Sequence, residues 1–350
     1  MPYYQHIRYL DQKEKQRTIE GLLRLKEALR EQVPVKTTAS NLLIATWNIR
    51  EFDSKVYGPR MSEAIYYIAE IIDHFDLIAV QEVNENLNGL ERLLDVLGYH
   101  WKYIYTDVTE GSSGNNERLG FLYDTRKLTF TGLAGEIVIP PEQLEEDGHN
   151  VELNPQRQLV RTPFVISLRT SWFRFMITTV HIIYGSGSQD DPRRVREIRL
   201  LSDFLAKRAD DPNAVASNLI LLGDFNIFQP KNQTYQEITR NFHIPEALQN
   251  LPSNVSQNRF YDQMAFRGQV PTEHIQAGIF NFFEYVYRMQ DEQAYAKNMP
   301  EKYAEKEDAE DKSRYFRVWW RTHQMSDHLP MWTELKIDQS EAYLKSLQED

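Results

Sequence analysis

The stretch LILLGDFNIF, residues 219–228, sets an apolar run against a polar break at Gly223, Asp224 and Asn226. A continuous apolar run reads as a strand buried on both faces, and in an extended chain residues two apart share a side. Asp224 and Asn226 are therefore expected to project together from the strand's end, with Phe225 turned into the core and Gly223 permitting a tight turn. The same break recurs elsewhere. LLIATWNIREF ends in Asn48 and Arg50, LIAVQEVNEN in Gln81 and Glu82, ITTVHIIYG carries His181, RFYDQMAF carries Asp262, and MSDHLPMW opens with Asp327 and His328. Singly, each is read as a strand-end cap, a surface carboxylate, a turn residue or, for His181, a hydrogen-bonded core histidine. Together they call for a common cause. Strand ends gather along one edge of an open α/β architecture, so one site would hold Asn48, Glu82, His181, Asp224, Asn226, Asp262, Asp327 and His328. Carboxylates and carboxamides without thiols suit Mg²⁺ or Mn²⁺, and two histidines supply acid and base near neutral pH. Phosphoryl transfer fits this set, because it needs a cation facing the nonbridging oxygens, a group to activate water and an acid for the leaving oxygen.

The elements that must position these groups are legible as β-like runs at 42–49, 77–83, 119–124, 164–170, 173–182, 219–225, 259–266 and 329–337. Helical spacing falls between several of them, at Ser62 to His74 and Pro192 to Arg208, and an N-terminal helix from Asp11 to about Gln32 ends before Pro34. Strands mixed with helices along the whole length predict an α/β sandwich, not two unrelated halves. Two segments depart from the pattern. Residues 145–158 are polar and turn-rich and read as an edge excursion; 271–324 reads as a helical insertion, with near-helical aromatics in IFNFFEYVYRM and a charged run in NMPEKYAEKEDAEDKSR. The charge run is expected to be a solvated turn on a helical cap, with a substrate-shaping lid as the alternative.

Composition narrows the chemistry further. The chain has 350 residues and no cysteine, which excludes disulfides and thiolate metal sites and leaves oxygen and imidazole ligands. A formal net charge of −11 argues against coating nucleic acid through bulk electrostatics, although an enzyme touching a few phosphates remains compatible. The N-terminus lacks an apolar core of signal-peptide length, and no run approaches the roughly 18 apolar residues of a membrane helix. A soluble, cytoplasmic protein without membrane insertion is the expectation.

In order along the chain, WNIREF, DLIAVQEV, NERLGFLYD, RTPF, TTVHIIYG, LLGDFN, YDQMAF and SDHLP resemble the motifs of the endonuclease/exonuclease/phosphatase superfamily, and within it the DNase I-like nuclease branch. The resemblance covers roughly residues 42–270 and 325–337. It implies a four-layer α/β sandwich, two packed mixed sheets flanked by helices, within a domain at 41–337. Residues 1–40 would form a helical extension and 338–350 a tail. It further implies that Glu82 and Asp327 bind Mg²⁺ or Mn²⁺ with Asn48 beside them, that Asp224 activates or orients water, and that Asn226 holds the scissile phosphate. His181 and His328 would form an imidazole pair oriented by Glu117 and Asp262, and Arg50 and Arg161 would contact phosphates. A carboxylate behind each imidazole would fix its tautomer and stabilise the imidazolium.

The implied activity is a metal-dependent phosphodiesterase, first of all a DNA endonuclease. The sequence departs from the nuclease pattern at Asn115, where a groove-contacting tyrosine is expected, and at Asn84, where a basic residue is expected. A phosphatase or phosphodiesterase acting on a small-molecule or lipid-headgroup phosphate ester is the alternative, and a catalytically silent binding module the third reading. The helix at 191–200 carries Arg193, Arg194, Arg196 and Arg199 after a glycine- and serine-rich loop read as flexible. It reads as a solvated face, with a phosphate-tracking patch as the alternative. His74, His100, His243, His274 and His323 are read as structural.

Overall fold

A computed structural model describes residues 1–52, 54, 60–108, 117–146, 158–273 and 275–349; Asn115, His274 and most of the 145–158 excursion lie outside them. Among the described residues, no helix is long and apolar enough to cross a membrane.

Two mixed sheets form the centre. One holds β1 (Asn41–Phe52), β2 (Leu77–Asn84), β3 (Trp101–Tyr105), β4 (Glu117–Asp124), β10 (Gln276–Ile279) and β11 (Met331–Lys336), in the order β10-β11-β1-β2-β4-β3. The other runs β5-β6-β7-β8-β9, from Thr129–Glu136, Phe164–Thr170, Phe173–His181, Leu219–Asp224 and Asp262–Arg267. Among the described residues only β1–β2 and β7–β8 pair in parallel; the other neighbours are antiparallel. Strand alternation divides the apolar residues between two cores. Leu42 and Ile44 of β1 join the core between the sheets, while Leu43, Ala45 and Trp47 join a second core on the outer face of the larger sheet.

Helices α1 (Gln12–Gln32), α2 (Ser62–Asp73) and α3 (Asn88–Leu97) cover that outer face, so the second core is closed from outside. Asp11 caps α1, accepting from Lys13 N and Glu14 N, and buried Leu22, Leu25 and Leu29 then face inward. On the smaller sheet, α5 (Pro192–Ala209) contributes Ile198, Leu201 and Leu205, with α4 (Pro141–Glu146) and α6 (Gln233–Thr239) beside it. Helix, sheet, sheet, helix makes the four-layer sandwich expected from the sequence.

The segment at 271–324 contributes more than helices. Its start forms β10, which pairs with β11 at the sheet's edge, and short helices follow: α7 (Glu292–Tyr295), α8 (Glu301–Ala304), α9 (Ala309–Tyr315) and α10 (Arg321–Gln324). Its aromatics Phe282, Tyr287, Tyr295, Phe316 and Trp320 are buried in the outer core, and Arg17 of α1 pairs with Glu63 at 2.6 Å under the Tyr295 ring. The cap is thus packed, and the charged run at 305–312 is largely exposed as expected. A last helix, α11 (Ser340–Glu349), follows β11.

Three strands escape the sequence pattern, and all three are edges: β3, β5 and β10. An edge strand is not buried on both sides, so its apolar alternation is weak. Gly223 is likewise a correction. It lies within β8 opposite Val180 of β7, with φ +133°, and a Cβ there would stand 2.3 Å from the Val180 carbonyl oxygen. Glycine is needed for close approach of two strands, not for a turn. Gly223→Ala should therefore destabilise the fold by about 3 kcal/mol or more, adding overlap to a strained φ. Gly132→Ala, at φ +100° but with nothing within 4 Å, should cost only about 1 kcal/mol. Urea denaturation of both variants checks this, and equal losses would remove the steric explanation.

Candidate active site

The register of the smaller sheet creates a polar row. His181 of β7 pairs with Asp224 of β8, and Asp224 pairs with Asp262 of β9, so the three side chains emerge on one side at one end. Upstream, Thr179 lies on the same face and accepts from Gln81 Nε2 of the opposite sheet at 2.9 Å, which identifies that face as the sandwich interior. The row is where the buried interface runs out. This explains why an apolar strand ends in a carboxylate.

The larger sheet meets this row with Asn48 and Glu82. Asn48 Nδ2 donates to Asp224 Oδ2 at 3.0 Å and to Glu82 Oε1 at 2.8 Å, joining the two sheets. Glu82 sits in an irregularity of β2 between Val80 and Val83 and takes a left-handed φ of 60°; Glu51, with φ 41°, donates its N–H to Glu82 Oε2 at 2.9 Å. A bulge re-aims one side chain, and each such φ costs about 1–3 kcal/mol, so the neighbouring contacts must hold both.

Each imidazole has a carboxylate behind it. His181 Nδ1 lies 2.6 Å from Glu117 Oε1, and Arg161 Nε forms an ion pair with the same oxygen. His328 Nδ1 lies 2.8 Å from Asp262 Oδ2, and Tyr261 stacks on the ring at 5.4 Å between centroids. Their Nε2 atoms approach Asp224 Oδ2 from two directions, at 3.5 Å and 3.7 Å. Ser326 completes the frame: its hydroxyl donates to Asn48 O at 2.6 Å and accepts from His328 N and Arg50 N.

No protein-family model and no curated protein matches this sequence. Solved structures do match. An endonuclease/exonuclease/phosphatase family protein from Bacteroides thetaiotaomicron is similar at 16% identity and TM-score 0.54, over 86% of this chain and 99% of that one. A mannosyl-6-phosphatase from the same organism gives 16% and 0.53 over 84% and 99%. The human Nocturnin catalytic domain, with bound sulfate, gives 13% and 0.53 over 84% and 93%. The chain has the endonuclease/exonuclease/phosphatase fold.

Within this fold, charge decides protonation. Burial pushes both imidazoles down, but Glu117 and Asp224 outweigh it at His181, which is held above its ordinary value. Asp262 and Asp224 do so more strongly at His328, which is raised well above it. Asp224 shows the reverse balance: burial raises it, and the two imidazoles bring it below the usual carboxylate range. Burial raises Asp262 and Glu82; for Glu82, repulsion from Glu117 and Asp327 adds to burial and opposes the attraction of His181.

The remaining sequence-predicted residues lie around this centre, with two corrections. The strand stops at Asp224, and Asn226 at φ 53° is placed by a local turn, its N–H donating to Asp224 Oδ1, not by strand alternation. Its Nδ2 donates to Ile182 O at 2.8 Å, holding the exit of β7; Phe225 is buried as expected. The Asp327 side chain is 49% exposed, and Arg50 Nε stands 3.9 Å from its Oδ2. The second correction concerns the basic helix. Arg194 is fully buried and donates to the carbonyls of Tyr184, Ser188 and Gln189, while Asp191 accepts from Ser186 N and Arg193 N. The glycine- and serine-rich loop is therefore clamped, and Arg194 is not available to track phosphates.

Sequence reasoning missed Ser326, which adjoins Asp327 in the SDH motif, and Glu197 of α5, whose carboxylate accepts from Val160 N and Ile183 N and so braces the flanks of Arg161 and His181. Ser326 has a signal in its place within the SDH motif, whereas Glu197, an acid on a basic helix, has none. Asp262→Asn should lower the titration midpoint of His328, because burial remains while the nearest opposing charge is lost. NMR of the imidazole across pH checks this, and an unmoved midpoint would show that Asp262 does not hold the imidazolium.

Proposed function

We propose that the protein is a divalent-cation-dependent phosphoesterase that hydrolyses by attack of water on phosphorus. The observation that carries this is Asp224, kept ionised between two imidazoles that are each backed by a carboxylate. Such an array has a base poised beside two acids in one buried place.

The residues fit a hard cation. Glu82, Glu117 and His181 bring ligand atoms within 4.8 Å of one another, but Glu117 is committed to Arg161 and to His181 Nδ1. Glu82 and the half-exposed Asp327 are the better donors, and the buried Asn48 Oδ1 has no hydrogen-bond partner. These three would hold the ion. When bound, it would offset charge on the phosphate's nonbridging oxygens. Glu117 and Asp327 repel the Glu82 carboxylate, and a cation would relieve that repulsion.

The protein's own groups do the rest. Asp224 orients the attacking water and accepts its proton as the new P–O bond forms. The imidazoliums of His181 and His328 direct Nε2–H toward the phosphoryl oxygens, and one proton passes to the leaving oxygen as the ester P–O bond breaks. Glu117 and Asp262 hold the ring orientations from Nδ1. Asn226, beside Asp224 in the chain, and Arg50, 3.9 Å from Asp327, would contact the phosphate, the role the sequence resemblance implies for them.

For the substrate, DNA cleaved internally is the first reading, supported by the nuclease-branch motifs. A small or lipid-headgroup phosphate ester is the second, supported by the net charge of −11 and by the burial of Arg194 in a structural role. The test is hydrolysis of supercoiled plasmid and of small phosphomonoesters and diesters with Mg²⁺ or Mn²⁺, with chelation as control. Activity should vanish with chelator and fall by about 10²-fold or more in His181→Ala and Asp224→Asn. Plasmid nicking supports the first reading, and turnover of small esters alone the second. Chelator-resistant activity, unaffected variants or no turnover of any phosphate ester would refute the proposal.

A further inference from the structure

We propose that Trp319 is a stacking platform for a nucleobase, so that the phosphate ester bound here belongs to a nucleotide or polynucleotide. The inference rests on the phosphoesterase reading above and adds the group recognised beside the phosphate.

Trp319 belongs to a single π-helical turn, Phe316–Trp320, between α9 and α10. Such turns are rare and are found often at functional sites, since they displace side chains from the regular helical positions. Here Phe316 and Trp320 enter the outer core, while Val318 and Trp319 remain 40% and 48% exposed. The same turn thus divides its large side chains between core and surface. The outer core holds aromatics of this segment, Phe280, Phe282, Tyr287, Tyr295, Phe316 and Trp320 among them, while Trp319 stays at the surface, open to a role in binding.

Its location supplies one. Arg50 follows Asn48 by two residues in β1, and its guanidinium carbon lies 5.7 Å from the Trp319 ring centroid. Arg50 Nε stands 3.9 Å from Asp327 Oδ2, so one guanidinium separates the indole from Asp327. A single sugar likewise separates base from phosphate in a nucleotide. The platform is also held in place: Arg50 Nη1 donates to Val318 O at 3.3 Å and to Thr322 Oγ1, and Thr322 Oγ1 donates to Val318 O at 2.7 Å. A pre-positioned ring loses little freedom on binding. The Arg50 guanidinium already stands over the indole and Val318 adds apolar surface beside it, so a flat base can extend a stack of cation and ring that is in place before it binds.

The test compares adenosine 5′-monophosphate with ribose 5-phosphate, which share the phosphate and sugar and differ by the base. Binding to the full chain with Mg²⁺ is followed by tryptophan fluorescence and equilibrium dialysis. The base should tighten binding about 5- to 150-fold, the equivalent of the ~1–3 kcal/mol of one base–aromatic stack. Trp319→Ala should abolish that advantage and leave ribose 5-phosphate unchanged; Trp319→Phe should keep most of it and shows that a ring at this position, not the fold, is responsible. Equal affinities in the wild-type protein, no binding of either compound, or an undiminished preference in Trp319→Ala would overturn the inference. The two proposals fail separately. Ester hydrolysis without a base preference removes only the stacking role, and a Trp319-dependent base preference without hydrolysis removes only the reaction.

Discussion

The carboxamide of Asn48 donates from one nitrogen to Asp224 on the smaller sheet and to Glu82 on the larger one, and the site depends on this bridge. Two sheets packed by apolar side chains have no intrinsic reason to align their ends to within a hydrogen bond. A directional contact fixes that alignment where a non-directional one cannot. Behind it, Gln81 reaches Thr46 on its own sheet and Thr179 on the other, and Ser326 ties the backbone of Asn48 to that of His328. Buried polar groups of this kind stabilise little in net terms but cost much if left unpaired, so together they specify one packing of the sandwich's end.

From that alignment the electrostatics follow. Asp224 sits at the meeting of β7, β8 and β9 with the strands of the opposite sheet; the register brings His181 to it, and Asp262 of the same row holds the His328 ring against it from the larger sheet. Each ring's other nitrogen is held by a carboxylate, so both rings favour the charged form and Asp224 the ionised one. The three groups stabilise one another's charges, and none would hold its state alone in so buried a place. Glu51, Glu82 and Asn226 beside them take left-handed backbone, each at a cost their contacts must meet.

Much of this was legible in the sequence, for a physical reason. Central strands of a sandwich are apolar without interruption, so a polar residue at their ends stands out, and Asn48, Glu82, His181 and Asp224 are visible on that ground; Asp262 and His328 show instead as polar residues just ahead of apolar runs at β9 and β11. Edge strands β3, β5 and β10 lack that contrast. The backbone details were hidden too: the bulge that re-aims Glu82, the turn that places Asn226, and the strand approach that requires Gly223 are relations between distant segments. Arg194 shows the limit of charge patterns. Four arginines on one helix look like a surface, yet the fold buries one of them to hold the loop after His181.

The central claim is that the oxygen donors around Asn48 form a cation site coupled to the Asp224 array. Mn²⁺ binding, followed by electron paramagnetic resonance and calorimetry in the protein and in Glu82→Gln, tests it most directly because it needs no substrate. The account predicts a specific site in the wild-type chain, lost or weakened at least tenfold in Glu82→Gln with the fold intact. Mn²⁺ binding of equal strength in both proteins, or none in either, would contradict it.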